Sequence, residues 1–195
     1  MKATILTKEF YIREDVLAIA RELLGKVIVT HIGGQVTSGI INETEAYAGV
    51  VDRASHAYGG RYTARTSVMY RSGGVAYVYF CYGMHHMFNV VTNREGVPHA
   101  VLVRSVIPLD GKELMAGRRN LPPESPNLAN GPGKLTQALG ITLDHNGADL
   151  TKGIIRIEDR GIVVQRDKIT SGPRIGVDYA GEDALLPYRF VWNGK

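Results

Sequence analysis

Apolar side chains recur at Val16, Leu17, Ile19, Ala20, Leu23 and Leu24 in the segment REDVLAIAREL, residues 14–24. That spacing predicts an amphipathic helix. Asp15 stands where it can accept from the free amides of the first turn, and Gly25 stops the helix. The period then shortens. Lys26 to Thr30 is a β-branched run, Gly33-Gly34 makes a turn, and Val36 to Tyr47 is a second extended run, so the pair reads as a hairpin. Glu45 and Tyr47 are two residues apart and therefore share one face of the sheet. Residues 75–82, VAYVYFCY, predict a strand with tyrosines at the alternate positions Tyr77 and Tyr79, ended by Gly83. Further strands are predicted over Met87–Thr92, His99–Ile107, Ile154–Ile157, Ile162–Gln165 and Tyr188–Trp192, with an Asp159-Arg160-Gly161 turn between the Ile154 and Ile162 runs. Short helices are predicted over Asp110–Arg119 and from Gly131-Pro132-Gly133 to Leu139. The stretch 48–66 is a long loop, and long ordered loops in compact domains usually carry function. Residues 120–130, broken by Pro122, Pro123 and Pro126, are a surface loop, and Asp144–Asp149 is a turn. Many strands joined by short turns, with few helices, predict an α+β fold: one mixed domain over residues 1–195 with a mainly antiparallel sheet.

Composition narrows the class. With 195 residues, 44% apolar and 22% charged, the chain can bury a core without covalent staples. Cys81 is the single cysteine, so no intramolecular disulfide forms, in keeping with a reducing compartment. No run approaches the roughly 18–20 apolar residues of a membrane span. The start, MKATILTKEFYIREDV, lacks a signal-peptide core. Both point to a cytoplasmic protein. The net charge of +4 favours a polyanionic partner. The cations are dispersed, however, and the same charge fits a mildly basic enzyme of another kind.

Several chemistries are absent. No H-E-x-x-H, C-x-x-C, Walker A, dinucleotide-binding glycine fingerprint or nucleophile elbow occurs. His85-His86 lies on a strand with its rings on opposite faces. Asp144-His145-Asn146-Gly147-Ala148-Asp149 lacks the closing glutamate of a calcium loop. Gly131-Pro132-Gly133-Lys134 offers either a phosphate contact at a helix N-terminus or simply a loop-to-helix turn. Carboxylates remain. Glu45 taken alone fits a surface salt bridge. Its company changes that: Tyr47, His56, Tyr79 and Tyr82 fall within one short region. Base–aromatic stacking is worth roughly 1–3 kcal/mol per base, comparable to the few kcal/mol spent in extruding a nucleotide.

The chain resembles the alkyladenine, or 3-methylpurine, DNA glycosylases. The residues that carry the resemblance are Ala20-Arg21-Glu22-Leu23-Leu24-Gly25, Glu43-Thr44-Glu45-Ala46-Tyr47, Ser55-His56, Gly59-Gly60-Arg61, Tyr77-Val78-Tyr79 and Tyr82-Gly83-Met84. Asn89, Val101-Leu102-Val103-Arg104, Gly131-Pro132-Gly133-Lys134-Leu135, Arg174-Ile175-Gly176-Val177 and Arg189-Phe190 continue it in order. The resemblance implies a curved antiparallel sheet in a single domain, no cofactor and no metal. It also implies action as a monomer on double-stranded DNA containing damaged purines, with no membrane partner and a nucleoid-associated location. By the same resemblance Glu45 is the general base for water and Arg104 helps hold that water or the carboxylate. Tyr47, His56 and Tyr79 contact a flipped base. Asn89 crowds out the guanine exocyclic amine, and Tyr82 fills the gap left in the duplex. His85 and His86 follow this tyrosine where the family carries other residues.

These roles imply base excision. A methylated purine is already cationic, and the rings of Tyr47 and Tyr79 attract it by about 0.5–2 kcal/mol. Glu45 then stabilises the developing oxocarbenium ion and deprotonates water, with Arg104 expected to keep it ionised. No lysine stands ready as a Schiff-base nucleophile; Lys134 fits a phosphate contact better. Monofunctional excision of alkylated or deaminated purines follows. Two rivals use the same residues: a nucleoside or carbohydrate hydrolase, and a non-catalytic nucleic-acid-binding module.

Overall fold

The computed structural model describes residues 3–81 and 83–193. Its strands are β1 (Thr4–Ile5), β2 (Val27–Ile32), β3 (Gln35–Tyr47), β4 (Ala76–Cys81), β5 (His85–Thr92), β6 (His99–Pro108), β7 (Ile155–Asp159), β8 (Ile169–Gly172) and β9 (Arg189–Trp192). The helices are α1 (Lys8–Tyr11), α2 (Val16–Glu22), α3 (Lys112–Arg119) and α4 (Pro132–Leu139). The strands form one sheet in the order β1-β7-β2-β3-β6-β5-β4, with β9 on β3 and β8 on β9, every pairing antiparallel. It is a curled half-barrel in an α+β domain, as the strand-rich pattern predicts.

β3 organises it. Its 13 residues outrun β2, which pairs only with Gln35–Ile40, so the freed edge at Glu43–Glu45 takes β9 while β6 follows the other edge. Alternation along β3 and its neighbours separates two interiors. Ile41, Ala46, Val78, Phe88, Val90, Val101, Val103 and Phe190 face the main core, closed by α2, α3 and α4. Tyr77, Val91 and Ala100 face the other side, where Ala57 and Met69 cover them.

The local signals act as expected. Asp15 Oδ1 accepts from the amides of Leu17 and Ala18, both at 2.9 Å, and Val16, Ile19 and Ala20 are buried. Pro132 opens α4, where a missing N–H costs nothing. A Cβ on Gly133 would stand 2.7 Å from His85 Cγ, so only glycine lets the β4–β5 hairpin seat against this helix. Thr136 then donates to the His86 carbonyl at 2.8 Å.

Two expectations change. Residues 162–165 form no strand; the strand of this region is β8, further on. Their alternation is real but serves side-chain packing. The place of a Cβ on Gly25, whose φ is +81°, lies 2.5 Å from Val164 Cγ2 and 3.3 Å from the Ile162 carbonyl. The segment lies against the end of α2 without joining a ladder, and a period of two reports which side is apolar, not who accepts the amides. The loop 48–66 is not featureless either: it winds through 3₁₀ turns at Gly49–Val51 and Tyr58–Gly60 before another at Ser67–Tyr70. Among the described residues no helix is long and apolar enough to cross a membrane.

Candidate active site

One rung of the sheet sets out the site. Tyr77 on β4, Asn89 on β5, Leu102 on β6, Glu45 on β3 and Arg189 on β9 stand opposite one another in turn. Directly opposed residues of antiparallel strands project to the same face. Tyr47 and Tyr79 lie two residues further along their strands and share it. The loop 48–66 brings His56 over this face from outside the sheet.

An irregularity aims the arginine. The register of β3 on β6 is the same before and after Glu43, but Glu43 itself stands opposite Ser105, which leaves Asn42 and Arg104 outside the ladder. Local breaks of this kind redirect side chains. Arg104 donates from Nε to Glu43 Oε1 at 3.0 Å and holds Nη1 3.3 Å from Glu45 Oε1. Arg189 Nε reaches the same Glu43 oxygen at 2.6 Å.

Glu45 is 0% exposed. Its Oε1 accepts from the Ile175 amide at 2.8 Å, and its Oε2 accepts from the Tyr47 hydroxyl at 2.8 Å. A carboxylate offers about four acceptor positions, so these donors and Arg104 leave one, on Oε2. The expectation that Arg104 simply keeps Glu45 ionised needs correction. Burial raises its pKa above the ordinary carboxylate value, and Glu43 adds to this; Arg104, the Ile175 amide and Tyr47 oppose the rise without cancelling it. Desolvation outweighs one partly shared guanidinium. Burial together with the Glu45 charge likewise raises the Tyr47 hydroxyl well above its usual value, so it stays a donor.

Tyr47, Ser55, His56, Met69, Tyr77, Tyr79, Asn89 and Ala100 enclose a hollow of about 30 Å³. Four of the predicted site residues meet there. Glu45 does not line it; the carboxylate sits behind the Tyr47 hydroxyl. The volume suits a water or two, against the roughly 300 Å³ and upward of ordinary ligand pockets, so a purine enters only by opening it. Asn89 ties its Nδ2 to the Tyr77 carbonyl at 3.1 Å. A depression of about 800 Å³ lies among α2, β7 and β9, but its Phe190 belongs to the main-core face. Lys26 there is taken by Asp159 at 2.6 Å.

The His56 tautomer follows from its neighbours. Arg65 Nη2 lies 3.4 Å from His56 Nε2 and can only donate. The proton therefore sits on Nδ1, 2.9 Å from the Tyr77 hydroxyl. Burial, then Arg65 and Arg61, lower the His56 pKa to about 4 from an ordinary 6.5. In that interval the unfolded chain binds the proton and the folded protein does not, so stability falls as pH drops from 6.5 toward 4. His56→Gln is expected to flatten this fall, measured as urea midpoints across that range; an unchanged slope would show that His56 titrates normally.

Sequence reasoning missed the residues that hold the site. Arg174 is buried and pairs bidentately with Asp52, at 2.5 and 2.8 Å. It also donates to the Ala46 carbonyl at 2.9 Å and lies 4.8 Å over the Tyr47 ring. Asp52 in turn accepts from the amides of Ala48 and Ala54, which folds the start of the 48–66 loop. Arg174 adjoins Ile175, the donor to Glu45, so one guanidinium braces the loop, the ring and the carboxylate together. The alternate spacing of Glu43 and Glu45 was a signal for the shared Arg104; nothing in the spacing linked Asp52 to Arg174. Lys134 stands in the first turn of α4, 3.0 Å from Asn127 Oδ1. Tyr82 lies outside the described residues. His85 packs onto Gly133, and the His86 ring stands 5.1 Å from the Phe80 ring.

Comparison with known proteins bears on this arrangement. The profile of the methylpurine-DNA glycosylase family matches residues 9–195. A protein of Chlamydia abortus named "putative 3-methyladenine DNA glycosylase" is 49% identical over 192 residues, covering 98% of this chain and all of the relative. Proteins of the same name from Chlamydia felis and Bacillus thuringiensis are 50% identical over 192 residues and 46% over 188. With an internal carboxylate, an aromatic hollow and near full-length identity to these relatives, the chain belongs to the methylpurine-DNA glycosylase family.

Proposed function

We propose that this single-domain protein acts as a monofunctional DNA glycosylase on nucleoid DNA, as a monomer and without cofactor or metal. It everts alkylated purines of the 3-methyladenine type, and deaminated ones, and hydrolyses their N-glycosidic bonds. The observation that carries the reading is the bond from Tyr47, a wall of the hollow, to the buried carboxylate of Glu45. The base stacks against Tyr47 and Tyr79, with Asn89 and His56 at its edges. As the bond to the sugar breaks, Glu45 offsets the positive charge on the anomeric carbon. The remaining lone-pair position on Oε2 takes a proton from the attacking water. A pKa raised by burial makes the carboxylate a stronger base and suits it to that transfer near neutral pH. Arg104, held by Glu43, keeps the carboxylate oriented. Tyr82 fills the gap in the duplex and Lys134 contacts a phosphate, both on the strength of the family resemblance.

The test is base release from duplexes carrying N3-methyladenine, N7-methylguanine or hypoxanthine, with free nucleosides alongside. The expected result is release from duplex DNA, no strand nicking and no borohydride-trapped adduct. Cleavage of nucleosides alone would favour a small-molecule hydrolase; nicking with a trapped adduct would end the monofunctional reading.

A further inference from the structure

Arg65 does not line the hollow but rests against two of its walls. The segment that carries it is pinned: Thr66 donates to the Arg61 carbonyl at 3.0 Å, and the Ser67 amide donates to the Thr63 carbonyl at 2.8 Å. The Arg65 side chain itself is exposed. Its guanidinium carbon stands 4.9 Å from the Tyr79 ring centroid, and its Nη2 lies 3.4 Å from His56 Nε2. Two walls of the hollow are thus engaged by one flat cation.

We propose, building on the glycosylase reading, that Arg65 is a gate: an everted base takes over the Tyr79 face and the His56 acceptor by displacing its guanidinium. A guanidinium is planar, charged and stacks on aromatic faces, and an alkylated purine is also planar and charged. Exchange of one for the other preserves the attraction between a cation and the ring quadrupole. A neutral, undamaged purine replaces a cation with an uncharged ring and loses that attraction. Displacing the guanidinium costs the same whichever base enters, so the gate holds back every base alike, and the preference for a cationic base belongs to the Tyr79 ring itself.

The test uses one duplex sequence bearing either N7-methylguanine or the neutral base hypoxanthine, and single-turnover release at saturating protein. The ratio of the two rates cancels any general change in DNA affinity. For Arg65→Ala both rates are expected to rise about two- to fivefold with their ratio unchanged, and Arg65→Lys to lie in between, a span matching an exposed cation–π contact. Rates that stay unchanged or fall together would make Arg65 an ordinary surface or DNA contact and overturn the gate. An independent reading needs no DNA. The His56 imidazole titration, followed by NMR in the folded proteins, is expected to move upward in Arg65→Ala; an unmoved titration would show that the guanidinium is not seated there. If the unaltered protein releases no base at all, the glycosylase reading fails, and the His56 titration still decides whether the Arg65 guanidinium is seated on these walls.

Discussion

Glu45→Gln is expected to lower base excision by about 10²–10⁴-fold, the range for loss of a positioned general base, while lesion-containing duplexes still bind. Glutamine has the size of glutamate and can still accept from Tyr47 or Ile175, so the walls of the hollow keep their places. It cannot take a proton from water or balance charge on the sugar. The same substitution is expected to leave the melting temperature at or above that of the unaltered protein. Burial raises the Glu45 pKa, so the ionised form is the one the fold disfavours. Above that raised value the buried charge costs stability. As pH falls through it toward 4.5, the folded protein takes up a proton that the unfolded chain does not, and this site's contribution improves. Glutamine removes the charge at every pH and leaves Arg104 with Glu43. The acid limb of the excision profile should accordingly lie above the ordinary carboxylate range. Parallel measurement of excision, duplex binding and thermal melting checks all three; excision at the unaltered rate would remove Glu45 from the chemistry.

Arg174→Met is expected to cost about 3–5 kcal/mol, because it leaves the buried charge of Asp52 without its partner. Asp52 is 2% exposed and Arg174 5%, so water cannot take over. For a chain of this size each kcal/mol moves the melting temperature by about 2–4 °C, which predicts a drop of roughly 6–20 °C. Converting Asp52 to Asn in the same chain should recover much of the loss, since the amide oxygen still accepts from Ala48 or Ala54. Excision should fall in the single variant as well: Tyr47 loses the cation over its ring, and Ile175 loses the neighbour that fixes its amide on Glu45. Denaturation midpoints of the two single variants and the double variant give the coupling. A drop under about 2 °C in Arg174→Met would mean that the pair is not the brace described.

Most of the scaffold was legible in the chain. The helix over Val16–Glu22, the β2–β3 hairpin and the tyrosine strand β4 follow from periodicity, because burial of one face imposes it on every element that packs. The run at Ile162–Val164 shows the limit: its side chains pack on the Gly25 corner, but its backbone finds no neighbouring strand. The short α1 and β1 carried too few residues to show a period. Glu45 and Tyr47 were readable as neighbours, since two positions on one strand share a face whatever else the protein does.

Parity along single strands was therefore determined by the sequence alone, together with the membership of one face by Glu45, Tyr47, Tyr77 and Tyr79 within their own elements. Only the tertiary structure decided that these strands align on a common rung, that Arg104 serves two carboxylates, that Asp52 meets Arg174 across more than a hundred residues, and that Arg65 lies over Tyr79. Those contacts depend on strand order, on one break in the β3–β6 ladder and on the path of an irregular loop, none of which leaves a local trace. The Glu45 pKa belongs to the same class: a carboxylate's proton affinity is set by how completely the fold removes its water, and that is a property of the whole packed molecule.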